Sequence, residues 1–171
     1  MKIFSKNPNT VLDYIDNLGE NTELSLRFLS HKLVALLMLL SASRAHCIHA
    51  FSTDAMEFNE NEYVFYPTVL LKHSRPKFRG DPIVYKSFPQ NTRLCIVHTI
   101  SEYISRRDAL TTTDALLITY RKPHHPAHRD TVARWLKNVL KDAGIKNFTA
   151  HSYRAASTSC AYAAKLQLPQ F

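Results

Sequence analysis

Residues 25–44 read SLRFLSHKLVALLMLLSASR, and the way this stretch is taken decides the fold. Leu26, Leu29, Leu33, Leu36, Leu37 and Leu40 recur mostly three or four positions apart, which lines one side of a helix, and the run is rich in strong helix formers. The pattern predicts a buried helix from about Ser25 to Ser41. Its longest apolar run, Leu33 to Leu40, falls well short of the roughly 20 residues that span a bilayer. The opening MKIFSKNP has no signal-peptide core. Cys47, Cys95 and Cys160 are odd in number and widely spaced, which suggests no disulfide framework and favours a reducing compartment, cytosolic or nuclear.

Working outward, a shorter helix is expected from Thr10 to Leu18, closed by Gly19. Downstream the pattern turns short, β-branched and aromatic at Tyr63 to Tyr66, Thr68 to Leu71 and Ile83 to Tyr85, broken by Pro67, Pro76 and Gly80 to Pro82. These segments predict a small antiparallel sheet. Helical spacing returns from Leu94 to Arg106, followed by a short extended segment, Ala115 to Tyr120. Pro123 and Pro126 make Lys122 to His128 a loop. Asp130 or Thr131 can cap a helix whose apolar face is Val132, Trp135, Leu136, Val139 and Leu140, with Arg134, Lys137 and Lys141 opposite and Gly144 ending it. A last helix of small residues is expected from Ser152 to Leu166. With 171 residues, 45% of them hydrophobic, this is an α+β chain, mainly helical, of a size that builds one core and one domain.

The net charge is +8, and it is unevenly spread: residues 1–62 carry five Lys/Arg against eight Asp/Glu, and residues 63–171 carry seventeen against six. A one-sided cationic excess points to a polyanion, most often nucleic acid, because neutralised phosphates release their counterions. Three places concentrate the chemistry. Arg44 follows small residues at the end of the apolar helix, where it either snorkels to water, pairs with a carboxylate or meets an anion. Lys72 lies in LLKHSRPKFR (70–79), a basic turn that is either solvated or set against phosphates. His151 and Arg154, three apart on a helical turn, project from one face, either as a cap and a surface arginine or as an oxyanion site. The clusters His46-Cys-Ile-His49 and His124-His125-x-x-His128 complete no zinc pattern, and no metal site is expected.

Arg44, Lys72, His151 and Arg154, in that order, resemble the catalytic set of the tyrosine recombinases, the phage-integrase family that cuts and rejoins DNA through a phosphotyrosine. The local wording around them, SASRA, LLKHSRP, KPHHP with RDTVARW, and FTAHSYRAASTS, is similar to recombinase-like proteins of eukaryotic mobile elements. The resemblance implies a recombinase catalytic-domain fold with a small antiparallel sheet insert, and DNA recombination or integration as the family's activity. It implies that Arg44 and Arg154 clamp the scissile phosphate, Lys72 protonates the leaving 5′ oxygen, and His151 assists proton transfer. No metal, ATP or other cofactor would be needed, since the covalent intermediate conserves the energy of the broken bond.

The partner implied is double-stranded DNA, touched also by Arg75, Lys77, Arg79, Arg134 and Lys137, with room for a homo-oligomer on the DNA and no membrane or small-molecule substrate. Two departures stand out. Ala45 to Ile48 holds no acidic residue where many bacterial members have one, and no His or Trp followed by the nucleophilic Tyr comes after Arg154. Tyr153 and Tyr162 read as packing or surface aromatics. Residues 1–171 are therefore expected to be one catalytic-type domain, incomplete at its C-terminal end and without a separate N-terminal core-binding domain, so that the chain alone does not cleave DNA. The alternatives are a non-catalytic or domesticated DNA-binding remnant, a relative of the type IB topoisomerases, and a protein-interaction module using the basic face.

Overall fold

The computed structural model describes residues 8–41, 45–68 and 81–145. They form helices α1 (Pro8–Asn17), α2 (Leu26–Ser41), α3 (Ala45–Ile48), α4 (Ile96–Asp108) and α5 (Arg129–Asp142), with strands β1 (Met56–Asn59), β2 (Glu62–Phe65) and β3 (Ile83–Lys86). The mainly helical α+β character expected from the sequence is what is observed. Among the described residues no helix is long and apolar enough to cross a membrane.

α2 is the centre. The Ser25 hydroxyl accepts the Phe28 N–H (3.3 Å) and starts it, and every residue from 29 to 39 is buried. A helix apolar around its whole circumference must be enclosed by others. Here α4 and α5 pack on it along its length, and β3 and the short α3 close the remaining sides. The buried helix expected from Ser25 to Ser41 is what is observed. Polar positions inside the run are accommodated individually: the Ser30 hydroxyl returns to the Leu26 carbonyl (2.6 Å), and Lys32 Nζ reaches Asn21 Oδ1 (2.7 Å). α1 adds Val11, Leu12 and Ile15 to the same core, and the chain leaves it through Gly19 at φ +99°, a conformation suited to glycine.

The sheet has the order β1-β2-β3 and is antiparallel throughout, with Met56 opposite Phe65 and Tyr63 opposite Tyr85. β2 and β3 stand where the sequence predicted strands. β1 was not foreseen, because Met-Glu-Phe-Asn contains no β-branched residue and is a strand only by pairing with β2. Thr68 is in no strand, and the rest of the expected strand 68–71 lies outside the described residues. Tyr85 fastens the sheet to α2. Its hydroxyl donates to the Leu37 carbonyl (2.9 Å), and its ring meets Phe65 edge-on at 5.9 Å while Phe65 stacks on Phe51 at 4.4 Å.

α4 ends in two arginines that bind backbone. Arg106 donates to the carbonyls of Asn21 (2.8 Å), Thr22 (3.1 Å) and Leu24 and pairs with Glu102 (2.9 Å). Arg107, buried, donates to the carbonyls of Thr113 and Ala115 (2.8 Å) and pairs with Asp108. Segment 114–118 is thereby pinned beside residues 51–53, with Leu116 N–H on the Phe51 carbonyl (2.8 Å). The short extended segment expected here pairs through isolated bridges, Ser52 with Ala115 and Ile118 with Pro126. α5 is capped at His128, two residues before the first of its expected caps, Asp130. Ala127 N–H is tied to the Leu117 carbonyl (2.8 Å), holding the chain extended up to His128, whose Nδ1 accepts the Asp130 N–H (3.4 Å). Gly144, at φ +84°, ends it as predicted. The helix expected from Ser152 lies outside the described residues.

Lys32 generates a test of this core. Burial pushes its ammonium down to about 8, against the opposing pull of Glu20 and Asp16. The folded state therefore releases the proton before the unfolded state does. The cost of burying the charge is in full force below pH 8 and is relieved as pH rises from 8 toward the ordinary lysine value. Urea unfolding at pH 7 and pH 9.5 should show the wild type gaining about 1–2 kcal/mol relative to Lys32→Met. A difference that does not change with pH would refute the buried-ammonium account.

Candidate DNA-binding face

α5 is held by its apolar side. Val132, Trp135, Leu136, Val139 and Leu140 are buried, and Tyr14 of α1 donates to Asp142 (3.5 Å) at its far end. That fixes which residues face water: Arg134, Lys137 and Lys141 are exposed at intervals of three and four, on one side of the helix. The preceding chain makes an arch. Thr119 N–H donates to the His125 carbonyl (2.8 Å), His125 N–H donates to the Pro123 carbonyl (2.9 Å) and to the Thr119 hydroxyl (3.1 Å), and His124 Nδ1 lies 2.8 Å from the Thr119 carbonyl. The Lys122–Pro123 peptide bond is cis. With the arch's backbone bonded to itself, Arg121, Lys122 and His125 are left exposed.

Arch and helix enclose an open cleft of about 490 Å³. Its walls include Tyr120 and Trp135, with Arg121, Lys122, Arg134 and His125 around them and no carboxylate among the lining residues. Tyr120 and Trp135 lie 5.5 Å apart between ring centroids, and both pack on His31 of α2, at 5.8 and 5.9 Å. Among the described residues the ion pairs engage Arg93, Arg106, Arg107, His128 and Arg129, leaving Arg121, Lys122, Arg134 and Lys137 without a carboxylate partner. Unpaired cations on a firmly held scaffold attract polyanions, because no internal pair has to be broken first.

Of the residues nominated from sequence, Arg134 and Lys137 are placed on this face. Arg44, Lys72, Arg75, Lys77, Arg79, His151 and Arg154 lie outside the described residues. The elements flanking the first two are described: Arg44 follows α2, Lys72 falls between β2 and β3, and Tyr85 of β3 bonds to Leu37 of α2. Sequence reading missed Tyr120, Arg121 and Trp135 as one wall, since residues in an arch have no periodicity that points them at a helix. No three potential metal ligands converge among the described residues. His49 and His128 approach only as a pair, ring centroids 6.4 Å apart.

No protein-family model and no curated protein sequence matches the chain. Its fold does match solved structures. One is a crystal structure of the XerH site-specific recombinase bound to difH substrate in a pre-cleavage complex, at 12% identity and a TM-score of 0.62, covering 85% of this chain and 38% of that one. Another is the same recombinase bound to palindromic difH substrate in a post-cleavage complex, at 12% identity and a TM-score of 0.66, covering 90% and 40%. The chain thus spans about two-fifths of the length of these recombinases. At this identity the likeness is one of fold: helices with a small antiparallel sheet in the tyrosine-recombinase arrangement, as the sequence resemblance implied.

The wall behind the cleft has its own signature. Burial, reinforced by the cation of Arg27 and opposed by Asp142, pushes the His31 imidazole down to about 4, so it is neutral at pH 7. The unfolded chain takes up the proton first as pH falls below 6.5, and the folded state loses stability down to pH 4. Between pH 7 and pH 5 the wild type should lose about 1–2 kcal/mol more than His31→Phe, read by the fluorescence of Trp135 during urea unfolding. Equal losses would contradict the buried, neutral imidazole.

Proposed function

We propose that this chain binds duplex DNA through the cationic face of α5 and its preceding arch, as the catalytic-type domain of a site-specific recombinase. The observation that carries the reading is the pairing of a recombinase fold with a helix locked by its apolar side and offering to solvent Arg134 and Lys137, which meet no carboxylate among the described residues. α5 has 14 residues, about 21 Å of helix, and a B-form major groove about 12 Å wide admits one. Both structural neighbours are site-specific recombinases bound to difH substrate.

The chemistry would come from Arg44, Lys72, His151 and Arg154. Two guanidiniums on the non-bridging oxygens would stabilise the charge that develops at phosphorus, the lysine would protonate the leaving oxygen and the imidazole would assist the nucleophile. This assignment rests on the motif order, and the bond from Tyr85 to Leu37 supports it by tying together the two elements from which the first pair depart. The wording around the four residues supports an origin among eukaryotic mobile elements and hence work in a nucleus.

Binding of a polypeptide of these 171 residues to duplex DNA should weaken log-linearly with salt, and Arg134→Gln with Lys137→Gln should lessen the slope by about 2. Binding that ignores salt, or no binding, would favour an acidic protein partner. On a nicked duplex designed to trap a phosphotyrosine, the same polypeptide should form no covalent adduct. An adduct that survives denaturation and is lost in Arg154→Ala would assign a nucleophile to Tyr153 or Tyr162.

A further inference from the structure

The cleft between the arch and α5 has features that contact with a duplex backbone does not use. Phosphate binding needs cations alone, and Arg134 and Lys137 supply these on the open helix face. The cleft adds depth, about 490 Å³, and a wall of aromatic rings. Tyr120 is the partly exposed member of that wall, and it is backed by the buried Trp135 and His31, so its ring is held rather than free to turn away. The imidazole behind it is neutral, and among the described residues no carboxylate lines the cleft or pairs with Arg121, Lys122 or Arg134.

A flat apolar surface with cations around it matches a ligand that is itself flat and apolar at one end and anionic at the other. Within a duplex the bases are stacked and present only their edges, so a base face reaches Tyr120 only from a nucleotide out of the stack. We propose that this cleft receives one unstacked nucleotide of a DNA strand, its base against Tyr120 and its phosphate among Arg121, Lys122 and Arg134. This goes beyond the duplex reading and shares with it the nature of the partner and Arg134. A bare phosphate would leave the aromatic wall unused.

Trp135 is the only tryptophan in the chain and stands in the cleft wall, which makes its fluorescence a local reporter. The probes are a single-stranded DNA of about eight nucleotides, within the usual range of single-strand sites, and an abasic oligomer of equal length and charge. The base-bearing strand should quench Trp135 saturably and bind about tenfold tighter than the abasic one, the size expected of one stacked base. Tyr120→Leu should erase that difference while retaining the abasic affinity, and Tyr120→Phe should preserve it. Arg121→Gln should weaken both strands equally.

Equal affinity of the two strands for the wild type would overturn the proposal, and so would a base preference that persists in a folded Tyr120→Leu. If Tyr120→Leu does not fold, the wild-type comparison decides alone. Duplex binding with its salt slope intact and no base preference sinks this inference and leaves the duplex reading standing. A base preference without duplex binding does the reverse.

Discussion

A helix without a solvent face is the constraint from which the rest of the structure follows. Residues 29–39 are all buried, so α2 cannot lie on a surface, and its neighbours must supply enough apolar area to surround it. Each buried leucine contributes about 1.5–3 kcal/mol, but only if α4, α5 and β3 close upon it together. β3 and α4 are near neighbours in sequence, while α5 follows some twenty residues after α4. Their relative positions are set by the helix they enclose. This is why Tyr85 and His31 matter beyond their own contacts: one fixes the sheet to α2, and the other packs α2 against the aromatic pair that walls the cleft.

The cationic excess divides by burial into two populations with different work. Arg106 and Arg107 turn inward and satisfy backbone carbonyls that a turn and a loop would otherwise leave unpaired. A guanidinium suits this because it stays charged and offers five donors in a fixed plane. Arg121, Lys122, Arg134 and Lys137 turn outward and meet no carboxylate among the described residues. Net charge alone would count all six as available to a partner. The structure removes two of them and concentrates the other four along one arch and one helix.

What was legible in the sequence is what periodicity encodes. The spacing of Val132, Trp135, Leu136, Val139 and Leu140 defined the buried side of α5, and with it the exposure of Arg134 and Lys137. β2 and β3 were readable because their residues favour extended backbone wherever they occur. β1 was not, since its strand character comes from its partner. Lys32 and His31 were hidden for a related reason. Within an apolar run each looks like a break in the pattern, and only the tertiary fold shows that Asn21 bonds to one and two aromatic rings cover the other. The cap at His128 depended on a bond between Ala127 and Leu117, which no local rule anticipates.

A fold that persists at 12% identity keeps its packing plan while its surface is free to change. The plan here is a wrapped helix, and among the described residues it leaves the arch and the outer side of α5 at the surface. Arg44 follows α2 and Lys72 falls between β2 and β3, while Arg134 lies on the outer side of α5. A core built this way holds the outer side of α5 steady through its buried side, Val132, Trp135, Leu136, Val139 and Leu140. Exposed side chains of the arch such as Arg121 can then vary without altering that packing.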